Sequence, residues 1–164
     1  KIELQEQDDM NDINTEADFK RELETLDDVQ QRLVAALFVK HVLPLSTDKR
    51  LERVLKAAVD GEATKEELAA ALKQAHAVTF DSHARCGAEG HWSDQAGYFV
   101  ARAAVAMVTP PTHSRVGGVA WQAAMSARMA WTSMLIDDET DQHSARTECE
   151  WQHECLSDYL KKHQ

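Results

Sequence analysis

The chain has 164 residues and a mass of 18.4 kDa, with 43% hydrophobic residues, 28% charged residues and a formal net charge of −10. This length favours one domain with its own core, and the absence of any run of about 18 apolar residues argues against a membrane-spanning helix. Twenty-four alanines beside three prolines and six glycines favour an all-α fold over a sheet protein.

The negative charge is concentrated at the beginning of the chain. Residues 1–31 contain eleven acidic and three basic side chains. We expect residues 1–17 to form a flexible acidic arm and residues 18–164 to form the helical domain. This charge opposes direct binding to nucleic-acid phosphates.

The first predicted helix runs from Asp18 to Pro44, because apolar residues recur there at helical spacing and proline ends the pattern. Ser46–Asp48 offers N-cap candidates for a second helix, which Gly61 ends. The expected buried side of the first helix consists of Phe19, Leu23, Leu26, Leu33, Leu37 and Val42.

A capping box at Thr64 and Glu67 predicts the start of the third helix. Gly87 and Gly90 are expected to bracket a turn, after which Ser93 caps a fourth helix. The expected buried positions of these two helices are Leu68, Leu72, Ala75, Thr79, Tyr98, Phe99, Ala103 and Ala106.

The fifth helix is predicted over Ser114–Leu135, and the sixth begins in the acidic run Asp137–Asp141. The last helix is expected to present one side formed by Thr147, Trp151, Cys155 and Tyr159. Six helices with short connections predict a single-domain antiparallel bundle, and the many alanines on the third to fifth helices predict closely packed axes.

Three cysteines cannot all pair within one chain, which favours free thiols and a cytoplasmic location. Two local groups suggest zinc, first His83, Cys86 and His91 and then Cys149, His153 and Cys155, but their spacings fit no standard zinc motif. Buried thiols and surface histidines explain the same residues. We therefore predict no metal and no cofactor.

The sequence offers no positive sign of catalysis. It contains no Gly-rich phosphate loop and no evident triad, and the run His153–Cys155 lacks the second histidine of a zinc protease motif. We therefore expect a protein that is not an enzyme. Arg102 and Arg128 fall on apolar helix faces, where each needs a polar partner or must reach water.

The Leu43–Leu45 turn is followed along the chain by the helix with Tyr98 and Arg102–Ala104. Mainly through these two segments, residues 26–156 resemble a family of small, Ala-rich immunity proteins of bacterial polymorphic-toxin systems. Together with His76 inside the third helix and Arg102 on an apolar helix face, the resemblance implies a structural polar network. Its members are Asp48, Arg50, His76, Tyr98 and Arg102.

The resemblance implies a cytoplasmic protein that neutralises a cognate toxin, such as a basic nuclease, by covering its active site. The acidic side chains expected to meet that partner are Asp137, Asp138, Glu139 and Asp141, followed by Glu22, Glu24, Asp27 and Asp28. Two alternatives stay open: a phage or mobile-element inhibitor that mimics nucleic-acid charge, and a metal-binding helical protein. The sequence leaves the oligomeric state undetermined.

Overall fold

A computed structural model describes residues 13–89, 92–134 and 145–163, which form an all-α bundle. No strand occurs within these ranges, and none of their helices is long and apolar enough to cross a bilayer. Two 3-10 turns cover Leu43–Leu45 and Pro111–His113. The α-helices are α1 (Glu16–Glu24), α2 (Asp28–Val42), α3 (Arg50–Val59), α4 (Lys65–Glu89), α5 (Trp92–Val108), α6 (Gly118–Met134) and α7 (Ala145–Lys162).

Helix α2 lies at the centre of the packing. It contacts α3, α5, α6 and α7, while α5 packs between α4 and α6. The expected close packing through alanine is confirmed for α5 and α6, but Ala69 and Ala70 of α4 are exposed and Ala106 is half-buried. The fully buried alanines of α5 and α6 are Ala96, Ala101, Ala103, Ala104, Ala120, Ala123, Ala124, Ala127 and Ala130.

The prediction of one helix from Asp18 to Pro44 is wrong, because α1 and α2 are separate. Asp27 begins α2 with a capping box: its carboxylate accepts from the backbone N–H of Gln30 at 2.8 Å, and the Gln30 side chain accepts from the N–H of Asp27 at 3.1 Å. The first backbone N–H groups of a helix have no carbonyl partner in a preceding turn, and a capping box satisfies two of them. The capping box at Asp27 therefore marks the start of a separate helix. The bundle therefore has seven described helices instead of about six.

The start of α4 is confirmed at Thr64, whose hydroxyl accepts from the N–H of Glu67 while the Glu67 carboxylate accepts from the N–H of Thr64. The expected turn at Gly87 is wrong, since α4 continues to Glu89. One glycine weakens a helix by only about 1 kcal/mol and does not end it alone. Gly90 lies outside the described residues.

Helix α6 begins at Gly118, four residues later than predicted from Ser114. Gly117 and Gly118, the first residue of α6, have φ values of 91° and 86°, in the left-handed region, so a right-handed helix starting at Ser114 cannot continue through them. Helix α5 begins at Trp92, one residue before the expected cap at Ser93.

The expected side of α7 is also displaced. The buried positions of α7 are Glu148, Gln152, Leu156 and Tyr159, so Trp151 and Cys155 are only half-buried. The acidic run predicted to begin this helix lies outside the described residues. At the other end of the chain, packing begins at Ile13, which is 8% exposed, before the predicted boundary at residue 18.

Candidate protein-binding groove

Helix α2 has apolar residues on two sides. One side enters the core through Val34, Phe38 and Val42, all with no exposed surface. The other side carries Val29, Leu33 and Leu37, which are spaced four residues apart and therefore form one stripe. Val29 and Leu37 are 41% and 38% exposed, so this second stripe is apolar surface that the core does not use.

Helix α7 supplies a matching stripe. Trp151, Cys155 and Tyr159 are also four residues apart and line one cavity together with Leu33 and Leu37. Val59 at the end of α3 adds a further apolar side chain, of which 52% is exposed. We call this cavity, of about 480 Å³, the α2–α7 groove; its polar lining residues are Glu154, Asp158, Lys162 and His163.

A polar pair between the half-buried His41 and the fully buried Glu148 holds the two walls of the groove together. Nδ1 of His41 on α2 lies 2.8 Å and 3.1 Å from the two carboxylate oxygens of Glu148 on α7. The His41 ring also stacks on Trp151, with centroids 3.5 Å apart and planes 6° apart. Phe38 meets the edge of the same indole. The orientation of Trp151 in the groove is therefore fixed by α2.

Negative charge surrounds the groove. Burial raises the pKa of the Cys155 thiol to about 11, and the charges of Asp158 and Glu148 act in the same direction. Burial, followed by the charge of Asp27, also raises the pKa of Tyr159. Both shifts arise first from burial, and the neighbouring carboxylates add to them.

The acidic residues predicted for partner binding fall partly near this groove. Glu24 and Asp28 are exposed, Glu22 is half-buried, and Asp27 both caps α2 and acts on Tyr159 at the end of the groove. Asp137, Asp138, Glu139 and Asp141 lie outside the described residues, so their placement stays a prediction.

The residues predicted as one polar network lie in two places. Arg50 donates to Asp48 at 2.7 Å and to Asp81 at 2.8 Å, which joins the start of α3 to α4. Asp48 keeps a pKa below its ordinary value because Arg50 hydrogen-bonds it. The Arg102 guanidinium lies 5.8 Å from the Tyr98 ring centroid on α5, and His76 is exposed on α4.

Arg128, the second arginine predicted on an apolar face, has polar partners on two other helices. It donates to the buried Gln152 at 2.8 Å and to Glu16 through both guanidinium nitrogens. Its side chain is 13% exposed. The Arg128 contacts therefore join α1 and α7 to α6.

Only one side chain of the suggested zinc group His83, Cys86 and His91 is described, so that group stays a hypothesis. His83 is exposed, with its ring 5.5 Å from that of Tyr98, whereas the Cys86 side chain and His91 lie outside the described part. Glu16, Cys149 and His153 are the group of described residues whose ligand atoms do lie within 4.8 Å of one another.

Competing contacts occupy the Glu16 group. Arg128 binds both oxygens of Glu16, so a metal ion would have to displace a guanidinium. His153 stacks on Phe19 at 4.8 Å, and Nε2 lies 3.1 Å from Glu16. Burial raises the pKa of Cys149, so its thiol is not activated as a nucleophile. These contacts give the group a structural role in attaching α1.

Sequence reasoning missed the pairing of His41 with Glu148, although one signal for it was present. Glu148 and Gln152 are in helical phase with Leu156, which marks them as members of the buried side of α7. What the sequence did not contain was the identity of the partners, because His41 lies 107 residues away.

Comparison of this chain with protein-family models, with curated proteins and with solved structures gives no match.

Proposed function

We propose that this chain is an immunity protein that binds a cognate bacterial toxin and covers its active site. The α2–α7 groove would be the main contact surface, and a basic protein, such as a nuclease toxin, would be its occupant. The observation that carries the proposal is the pair of apolar stripes, Val29–Leu37 on α2 and Trp151–Tyr159 on α7. Val29 and Leu37 are exposed, Trp151 and Cys155 are half-buried, and acidic side chains line the same cavity. The motif resemblance supplies the class of partner.

The apolar lining supports a protein partner. Contiguous exposed apolar surface with a polar margin is typical of protein-binding sites. Trp is enriched among residues that dominate binding energy, and the half-buried Trp151 lines the groove. Leu37 and Val59 would lose their exposed surface on docking.

The contacts beneath the groove support tight binding. His41 holds Trp151 by stacking and Glu148 by a hydrogen bond, so both walls are positioned before a partner arrives. A preformed surface loses less conformational entropy on association than a mobile one. An inhibitor that must outcompete a toxin's substrate benefits from this property.

The charges support a basic partner. Glu154 and Asp158 line the groove, and Asp27 lies near its Tyr159 end. Lys162 is the opposing charge in the lining. Complementary charge raises the association rate, and this contribution decreases with added salt.

The first experiment identifies the partner and tests its toxicity. The full chain is used as bait in its native host, and each stoichiometric partner is expressed alone and together with this chain. We expect one partner that arrests growth alone and is tolerated in the co-expressing strain. A nucleoprotein complex as partner would favour the charge-mimic alternative, and partners without toxicity would contradict the immunity proposal.

The second experiment tests the surface. Leu37→Glu places a charge in the groove and should weaken binding at least tenfold, a loss of about 1.4 kcal/mol. Val116→Glu is the matched control, because Val116 is an aliphatic residue that is 82% exposed and lies outside the groove lining. Equal protection by a folded Leu37→Glu variant would show that the toxin binds elsewhere.

The charges are tested separately. The pair Glu154→Lys and Asp158→Lys should slow association and reduce its salt dependence, whereas Glu62→Lys, in the exposed turn before α4, should not. The same substitution at Asp137, Asp138, Glu139 and Asp141 tests whether the acidic run contributes to the same interface.

A further inference from the structure

A second cavity lies between α4, α5 and α6, beside the connection from α5 to α6. Its volume is about 560 Å³, within the range of small-molecule sites. Its charged and titratable lining residues are Arg102, Arg115, His76 and His113, and no Asp or Glu is among the described residues that line it. We call it the Arg102 cavity. It is unexpected that all the ionisable residues lining this cavity are basic, because the chain has 28 acidic residues and only 18 lysines and arginines.

Arg102 lacks the polar partners that the other half-buried arginines have. Arg32 donates to the carbonyls of Ala58 and Asp60 at 3.0 Å each, and Arg50 and Arg128 bind carboxylates. The contact of Arg102 with a described residue is with the Tyr98 ring, 5.8 Å from its guanidinium carbon. Arg102 is half-buried and faces the cavity without a carboxylate among the described residues beside it, so an anion in the cavity would supply the polar partner that the other arginines have.

The remaining lining is suited to an organic molecule. Leu72, Val105 and Ala106 provide an apolar surface, and the hydroxyl of Ser126 makes no hydrogen bond with the described residues. The hydroxyls of Thr79 and Thr109 already donate to helix carbonyls at 2.9 Å and 2.6 Å. These two hydroxyl hydrogens are therefore not available to a ligand, and recognition of a ligand's negative charge rests with the arginines.

We propose that the Arg102 cavity binds a small organic oxyanion, a carboxylate or a phosphate ester. Arg102 and Arg115 would hold its charged group, and Leu72 and Val105 would contact its apolar part. Guanidinium forks match the geometry of both oxyanions. The cavity shares no lining residue with the α2–α7 groove, so this ligand site is independent of the proposed toxin contact.

The test is a titration of the full-length chain followed by amide NMR at constant ionic strength. The probes are phenyl phosphate, benzoate and the neutral benzamide. We expect saturable shifts with at least one anion below about 10 mM, confined to α4, α5, α6 and the connection at residues 109–117, and none with benzamide. The stronger anion identifies the class. Absence of saturable shifts with both anions would overturn the proposal.

Matched variants assign the site. Arg102→Gln should weaken binding at least tenfold, and Arg115→Gln, at an exposed side chain, serves the same purpose if Arg102→Gln does not fold. Arg53→Gln is the control, because Arg53 is an exposed arginine on α3 outside this cavity. Equal weakening by Arg53→Gln, or full binding by a folded Arg102→Gln and by Arg115→Gln, would exclude this cavity as the binding site.

Discussion

Nδ1 of His41 lies 2.8 Å from Oε2 of Glu148, whose side chain has no exposed surface. The two residues join α2 to α7 and lie directly beneath the α2–α7 groove. Trp151, one turn from Glu148 on the same helix, covers the His41 ring. One histidine thus binds a buried carboxylate and also positions the largest side chain of the candidate interface.

Replacing His41 should therefore affect both stability and partner binding. We expect His41→Ala to lower the free energy of unfolding by about 2–3 kcal/mol, because a buried carboxylate loses its imidazole partner and an indole loses its stacking partner. Chemical denaturation measures the change. His113→Ala, at an exposed histidine whose ring contacts Thr112, should change stability by less than about 0.5 kcal/mol.

The ion pair between Glu16 and Arg128 predicts a pH dependence. The hydrogen bond from Arg128 is the main cause that lowers the pKa of Glu16. Because the folded-state pKa lies below the unfolded value, the stabilisation is present above about pH 4.3 and is lost as pH falls through the folded-state pKa.

Glu16→Gln should therefore be less stable than the native chain at pH 6, by about 1 kcal/mol or less because Glu16 is 46% exposed. The difference should shrink as the pH falls from 6 to 3, as measured by thermal unfolding. Glu24→Gln, at an exposed position on the same helix, is the control and should match the native chain at both pH values. A difference for Glu16→Gln that is the same at pH 6 and at pH 3 would contradict the ion-pair explanation.

Replacing each of two glycines with alanine should change the stability of the fold in opposite directions. At Gly117 the φ value is 91°, and an added Cβ would collide with the Trp121 side chain. Gly117→Ala should therefore destabilise the fold by at least about 1 kcal/mol. Gly97 lies inside α5, and a Cβ added there would meet no atom within 4 Å, so Gly97→Ala should stabilise by about 0.5–1 kcal/mol. Thermal unfolding distinguishes the two.

Adjacent residues on α2 test which side of that helix is buried. Phe38 has no exposed surface, whereas Leu37 is 38% exposed. Phe38→Ala should cost about 3–5 kcal/mol, and Leu37→Ala less than about 1 kcal/mol. Denaturant titration measures both changes. Similar losses at the two positions would mean that Leu37 belongs to the core, as its sequence spacing had predicted.

The thiol of Cys155 should react slowly. Burial raises its pKa to about 11, and the thiolate is the reactive form, so alkylation near pH 8 should be about 100-fold slower than for an unperturbed cysteine. A variant with Cys86→Ser and Cys149→Ser isolates this thiol. Iodoacetamide labelling of folded and urea-unfolded protein provides the comparison, and equal rates would contradict a buried thiol.

Local chemistry in the sequence was enough to predict part of this fold. The all-α class, the capping box at Thr64 and the end of a helix before Pro44 depend on neighbours in the chain. The close packing through alanine in α5 and α6 followed from composition. These features were predictable because helix propensity, capping and proline geometry act over only a few residues.

The tertiary structure decided which side of an amphipathic helix is buried. Helix α2 is apolar on two sides, so spacing alone placed Leu33 and Leu37 in the core, whereas the contacts with α5 and α6 select Val34 and Phe38. Glu148 and His41 likewise become partners only when α7 docks on α2. Burial and long-range pairing depend on residues distant in the chain, and the sequence by itself does not state which of them meet.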